Sequence, residues 1–296
     1  MSGAATANGL DLDFDLDLDL DAVLQGTRQA VEQAVELVRS LLEGPFRSWA
    51  KGDQSPVTEI DLAVDKLLGQ LLPRVASAAW LSEETVDDPG RLQAALVWVV
   101  DPIDGTRSLI ERSGQFCISV ALCHQGAPLI GVVANPTTGE RFYAAAGRGA
   151  WDENGRRLRV RATEASRPPR LLVSTRELAR GLWNDLDGCA ETEALSSLAY
   201  KLAKVARGDV DATMTPWTRA EWDAAAGDLL VREAGGSSVD IRGEPLRYNR
   251  SRPLFEGVVA GSPELLGRLA TLRHELRSRK EKVLAQHTTR HATEAG

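Results

Sequence analysis

The residues of this chain that could carry chemistry are carboxylates in four places: Asp61, the pair Glu83-Glu84, the pair Asp101 with Asp104, and Asp223. Most stand at the start of an expected helix or the end of an expected strand, where α/β folds present ligand groups. The hexapeptide Asp101-Pro102-Ile103-Asp104-Gly105-Thr106 is the most informative. Proline removes an N–H and fixes φ, so the chain is expected to leave its strand there. Two carboxylates three residues apart then share one space with the Ile103 carbonyl, and three oxygens on one short turn suit a hard cation such as Mg²⁺. Gly105 permits close backbone approach, and Thr106 opens a possible helix whose free N–H groups can hold a phosphate. Taken alone, Asp-Pro-x-Asp also fits a strand-ending turn with a helix cap.

Those side chains need elements to hold them. Leu24, Val31, Ala34, Val35, Val38, Leu41 and Leu42 form an apolar stripe that predicts a first helix over 22–42, capped by Asp21 and stopped by Gly44-Pro45. Thr58-x-x-Asp61 reads as a capping box for a second helix that should end before Pro73. The continuous apolar run Ala94–Val100 predicts a strand buried on both faces and leading straight into Asp101. Strands over 116–122, 129–134 and 141–145, joined by glycine-containing turns, predict an antiparallel meander. A basic, proline-containing link over 156–170 precedes a second half. There a strand over 171–174, helices over 194–207 and from Trp222 to Gly235, a strand over 257–260 and a helix from Pro263 are expected.

Composition narrows the class. Among 296 residues, 43% are hydrophobic and 26% charged, as in a globular protein large enough for two modest domains or one α/β unit. The net charge of −7 argues against a general nucleic-acid or membrane-surface binder. Nearly all of it comes from six aspartates alternating with apolar residues over Asp11–Asp21. Such a run repels itself and is poor in strand propensity, so residues 1–20 are expected to be a disordered acidic arm, with an added edge strand as the alternative. No signal peptide and no membrane span are expected. Cys117, Cys123 and Cys189 form no CxxC pair and read as reduced thiols of a cytoplasmic protein. The four histidines sit in a turn and near the C-terminus and suggest no Ser-His-Asp chemistry.

Four segments, in order, resemble the inositol monophosphatase superfamily of metal-dependent phosphatases: Ser55–Asp61 (SPVTEID), Leu81–Glu84 (LSEE), Val99–Thr106 (VVDPIDGT) and Glu221–Gly236 (EWDAAAGDLLVREAGG). The resemblance implies a layered α/β sandwich in two halves, 21–160 and 161–278, with the site in the cleft between them and a flexible tail over 279–296. It implies Glu83, Asp101, the Ile103 carbonyl, Asp104 and Asp223 as ligands of two or three Mg²⁺ ions. Mn²⁺ would be an alternative, and Li⁺ and Ca²⁺ inhibitors. Asp61 and Thr106 would activate the attacking water, Glu84 would be an assisting acid, and Gly105 with Thr106 would cradle the phosphate. A homodimer is implied as well.

The physics agrees with that assignment. Clustered carboxylates repel one another and take up protons unless cations neutralise them. Two cations then leave a positive face for a phosphate and suit in-line displacement at phosphorus.

Three further features bear on which phosphate ester is the substrate. Ile110-x-Arg112-x-Gly114-x-Phe116 resembles the 3′(2′),5′-bisphosphate nucleotidase branch, although Gln115 replaces the usual acid. Pro216 stands seven residues before Asp223, where inositol monophosphatases place a glutamate. Ser197-Leu198-Ala199-Tyr200-Lys201 resembles the nucleotidase helix without its preceding glycine, and its lysine would meet a second phosphate. Arg112, Ser197 and Lys201 are therefore the expected substrate contacts. The expected substrate is 3′-phosphoadenosine 5′-phosphate; inositol monophosphate, histidinol phosphate or another small phosphomonoester are the alternatives.

Overall fold

The computed structural model describes residues 18–164, 166–184 and 188–280. The stretch 1–17, which holds most of the aspartate run, and the tail 281–296 lie outside the described residues. The last two aspartates of the run belong to helix α1 (Leu20–Leu42). Asp19 is its N-cap, accepting from the backbone N–H of Asp21 and Ala22 at 3.1 Å each. Asp21 lies in the first turn, where its charge offsets the helix dipole, so the expected cap is displaced by two residues.

Helix α2 (Glu59–Val75) starts on the expected capping box: Thr58 and Asp61 bond reciprocally to each other's backbone N–H. It does not stop before Pro73. The proline sits in the last turn, its missing bond would fall on the carbonyl of Gly69, and the helix closes with Ala76 N–H on Leu72 at 3.1 Å. The apolar faces of α1 and α2 cover one side of a six-stranded sheet through Val35, Val38, Ile60, Val64 and Leu68, each fully buried. Each such side chain contributes about 1.5–3 kcal/mol.

In that sheet the strand Ala79–Ser82 pairs parallel with Leu96–Asp104. Cys117–His124, Ala127–Ala134, Arg141–Ala145 and Gly149–Asp152 follow as the antiparallel meander. Alternate residues of the apolar strand face opposite layers: Trp98 and Val100 meet α1 and α2, whereas Val97 and Val99 meet the layer beyond. Pairing does not end at Asp101. Asp101 opposes Ser119 and Asp104 opposes Cys117, so Pro102 and Ile103 form a bulge and the ladder resumes at Asp104. Proline's missing N–H is tolerated because the bulge asks for no ladder bond there.

Short helices α3 (Thr106–Ile110) and α4 (Thr175–Ala179) flank the cleft. Helices α5 (Leu198–Arg207) and α6 (Ala225–Glu233) pack together between the first sheet and a second, five-stranded one. Gly227 makes that contact possible, since a Cβ there would lie 2.5 Å from the Leu202 Cβ. Helix α5 begins later than expected, because Ser197 caps it by accepting from Tyr200 N–H at 3.1 Å. Residues 191–194 instead form a strand beside Arg170–Val173. Helix α6 also begins late, after a turn over 220–223 that Asp223 closes by accepting from Ala220 N–H at 3.2 Å. The outer face of the second sheet is covered by α7 (Pro263–Arg268) and the helical residues 270–280, through Leu265, Leu269 and Leu276. The layers thus run helix, sheet, helix, sheet, helix, an α/β sandwich. Cys117 and Cys123 are buried free thiols; Cys189 is exposed.

Candidate active site

The apolar strand Leu96–Asp104 and its parallel neighbour Ala79–Ser82 deliver their C-terminal ends to one cleft, so Asp101 and Glu83 arrive side by side. The turn before α6 adds Asp223. One carboxylate oxygen from each of Glu83, Asp101 and Asp223 lies within 4.8 Å of the others. This is the metal-capable cluster among the described residues. It lines a cavity of about 430 Å³ together with Asp104, Gly105, Thr106 and Ser108.

The cluster is electrostatically costly. Burial, and then the neighbouring charges of Glu83, Asp104, Asp223 and Asp61, push Asp101 well above the usual carboxylate range. Burial, followed by Asp104 and Glu83, pushes Asp223 up to about 8. Hard oxygen donors so placed fit a divalent cation, which would relieve both the desolvation and the repulsion.

Asp104 lines the same cavity but stands outside the three-oxygen group, for a visible reason. Its Oδ2 accepts from Ser197 Oγ at 2.7 Å and from Ala199 N–H at 2.6 Å, at the start of α5. The Ile103 carbonyl is buried and accepts weakly from Thr106 Oγ1 at 3.3 Å. The same hydroxyl lies 3.1 Å from Asp61 Oδ1, so the expected Thr106–Asp61 pair is formed. The other oxygen of Asp61 is held by the Thr58 N–H at 2.9 Å and by the Thr58 hydroxyl. A capping box thereby fixes the second member of the pair. Gly105 adopts φ 104°, and a Cβ there would sit 3.0 Å from the Gln115 carbonyl, so only glycine fits this turn.

Glu84 does not join the cluster. Its carboxylate accepts from Lys51 Nζ at 2.7 Å, and the same ammonium reaches Glu83 Oε1 at 3.0 Å. Burial, only partly offset by Lys51, pushes Glu84 up to about 7. The loop that carries both glutamates is anchored below by Asp65, which accepts from Ser82 Oγ at 2.5 Å and Thr85 Oγ1 at 2.7 Å.

The three expected substrate contacts are placed elsewhere. Arg112 donates to the carbonyls of Leu42 at 2.7 Å and Gly44 at 3.0 Å, closing the C-terminal end of α1. Ser197 is spent on Asp104 and on capping α5. Lys201 is fully buried beneath the cleft, its Nζ without a hydrogen-bond partner among the described residues. Burial lowers it to about 8, opposed by Glu177, Asp104 and Asp223. None of the three lines the cavity.

Sequence reasoning missed Lys51 and the cavity residues Arg107, Arg176, Arg180, Arg219 and Trp217. Two carried a faint signal: Arg107 follows Thr106 directly, and Arg219 precedes Asp223 by four residues.

Residues 19–278 match the inositol monophosphatase family. The chain is 33% identical over 208 residues to a 3′(2′),5′-bisphosphate nucleotidase CysQ of Aggregatibacter actinomycetemcomitans, covering 68% of this chain and 77% of that one. It is 36% identical over 204 residues to an inositol-1-monophosphatase of Rhizobium meliloti (strain 1021), covering 65% and 75%. Its fold superimposes on the extragenic suppressor protein suhB of Bartonella henselae with a TM-score of 0.73 and 27% identity, over 86% of this chain and 98% of the other.

Proposed function

The chain belongs to the inositol monophosphatase family and is a phosphomonoesterase, and from that premise we propose a Mg²⁺-dependent 3′(2′),5′-bisphosphate nucleotidase acting on 3′-phosphoadenosine 5′-phosphate. The observation that carries the metal dependence is the gathering of Glu83, Asp101 and Asp223 oxygens within 4.8 Å of one another in the cleft. In this reading those three hold the ions, with Asp104 and the Ile103 carbonyl completing the set. Bound Mg²⁺ would supply Lewis-acid activation of water and of the phosphoryl oxygens. The remaining work belongs to the chain. Thr106 Oγ1, held between Asp61 and the Ile103 carbonyl, orients the attacking water and passes its proton toward Asp61. Gly105 lets the backbone approach the phosphate closely. Buried Lys201 lends positive charge from beneath the cleft. Catalysis here is mainly positioning and charge stabilisation.

The substrate reading rests on the 33% identity to the CysQ nucleotidase and on Pro216 where an inositol-contacting glutamate would stand. A second reading, inositol-1-monophosphatase, is favoured by the 36% identity to the Rhizobium enzyme. The deciding experiment is phosphate release with Mg²⁺ from 3′-phosphoadenosine 5′-phosphate, inositol 1-phosphate and histidinol phosphate. A higher kcat/KM for either of the last two overturns the nucleotidase assignment. Mn²⁺ is a candidate replacement, with Li⁺ and Ca²⁺ as inhibitors. Among the described residues no helix is long and apolar enough to cross a membrane. The buried free thiols fit a cytoplasmic setting. A homodimer is the assembly the family resemblance implies, and light scattering on the purified chain tests it.

A further inference from the structure

The cavity that holds the acidic cluster is also lined by four arginines, Arg107, Arg176, Arg180 and Arg219. They come from three separate places: the first turn of α3, α4 with the residue that ends it, and the short strand Arg219–Ala220. Gathering them is unfavourable, since burial and then the charges of Arg107, Arg180 and Arg219 pull the Arg176 guanidinium below its ordinary range. Little offsets this. Among the described residues, Arg107, Arg176 and Arg180 make no ion pair and no side-chain hydrogen bond; Arg180 only lies 5.6 Å from the ring centre of Trp217. Arg219 is better held, its Nη2 donating to the Thr215 hydroxyl at 3.3 Å and reaching Glu177 Oε1 at a long 3.5 Å, but among the described residues its Nε is buried without a partner. Glu177 is itself occupied, by the Trp183 indole N–H at 3.1 Å and by the Thr215 hydroxyl.

Unpaired guanidinium groups in a cleft match the geometry of phosphate oxygens and bind them directly, two donors at a time. The acidic cluster can attract a phosphate only through cations. One cavity therefore offers two unlike phosphate environments, and a substrate with a single phosphate can fill only one.

We propose that Arg176 and Arg180, with Arg107 and Arg219, form a second-anion subsite that reads the non-reacting phosphate of a bisphosphorylated nucleoside while the other phosphate is cleaved at the acidic cluster. The subsite rests on the nucleotidase reading above and replaces Arg112 and Lys201 as the source of specificity.

The test compares R176Q/R180Q with the wild-type chain. Both arginines are exposed, so circular dichroism should show a folded protein; Arg180→Gln alone serves if it does not. Two measurements are made: the ratio of kcat/KM for 3′-phosphoadenosine 5′-phosphate to that for adenosine 3′-phosphate, and the calorimetric Kd of adenosine 5′-phosphate. The expected result is a ratio lowered about 10- to 100-fold, mainly through KM, with the Kd weakened at least about 10-fold. R74Q/R148Q, which removes the same charge elsewhere on the surface, should keep the wild-type ratio. An unchanged ratio overturns the subsite. An equal loss on both substrates does so too, because the arginines would then serve the reacting phosphate. A matching loss in R74Q/R148Q would reduce the effect to overall charge. If the wild-type chain cleaves inositol 1-phosphate and neither nucleotide, the nucleotidase reading falls. The subsite then stands or falls on whether adenosine 5′-phosphate binds and R176Q/R180Q loses that binding.

Discussion

Ser197 Oγ donates to Asp104 Oδ2 at 2.7 Å, joining the start of helix α5 to the acidic turn that ends the strand Leu96–Asp104. The hydroxyl that sequence comparison would give to a substrate instead holds a carboxylate in place. Ser197→Ala should therefore raise the Mg²⁺ concentration for half-maximal activity several-fold and lower kcat about 10-fold. The lost cap should cost about 1 kcal/mol of stability. A Mg²⁺ titration of initial rate, with urea unfolding alongside, checks both parts. A change confined to the substrate KM would return Ser197 to the substrate.

Asp101 lies at the centre of the repulsion in the cleft. Asp101→Asn should lose more than about 100-fold in kcat. In EDTA the same variant should melt at or above the wild-type Tm, because a buried charge is gone. Phosphate release and differential scanning fluorimetry report the two outcomes. Substantial retained turnover would count against a ligand role.

Away from the cleft, Glu140 gathers Lys204 Nζ at 2.6 Å, Arg207 Nη2 at 2.5 Å and the Tyr200 hydroxyl. Burial pushes its pKa up, but these partners outweigh burial and hold the carboxyl at about 2, below its ordinary 4.5. A depressed carboxyl stabilises the fold above its unfolded pKa and loses that contribution as pH falls through the folded one. Glu140→Gln should cost about 2 kcal/mol at pH 7. The gap should begin to close below about pH 4.5 and vanish near pH 2. Urea unfolding of both proteins across that range measures it, and a gap independent of pH would refute the ionic account.

If Mg²⁺ occupies the cluster, millimolar Li⁺ should slow turnover at limiting Mg²⁺. Mg²⁺ should also raise the wild-type Tm by several degrees while leaving that of Asp101→Asn nearly unmoved. Thermal scans with and without each ion give the answer.

What the sequence made legible follows chemical locality. Asp101, Asp104, Glu83 and Asp223, which the structure brings to one cavity, could be singled out because each stands near the end of an element whose apolar pattern is readable. The Thr58–Asp61 box was found because a capping box is complete within four consecutive residues. Arg112, Ser197 and Lys201 stand away from the cavity lining because tertiary packing decides where a side chain on a known helix or turn points. Arg112 turned to the open carbonyls of α1, Ser197 to a carboxylate and Lys201 inward. The arginine wall was invisible for the same reason, its members lying far apart in the chain. Pro73 and Pro102 failed as stop signals for different reasons: Pro73 falls so near the helix end that it costs one bond, to the Gly69 carbonyl, before α2 closes, and Pro102 falls in a bulge, where no ladder N–H is required.

The bulge at Pro102 and Ile103 carries one more consequence. Side chains of a regular strand alternate sides, so positions 101 and 104, an odd number apart, would face opposite ways. The bulge cancels that odd step: Asp101 and Asp104 lie opposite Ser119 and Cys117, which share a side, and both carboxylates reach the same cavity. The parity of this strand is thus a working part of the site. Pairing the same residues as a regular strand, with the three-residue spacing kept and the bulge removed, would turn one of the two acids toward the hydrophobic layer without altering a single ligand.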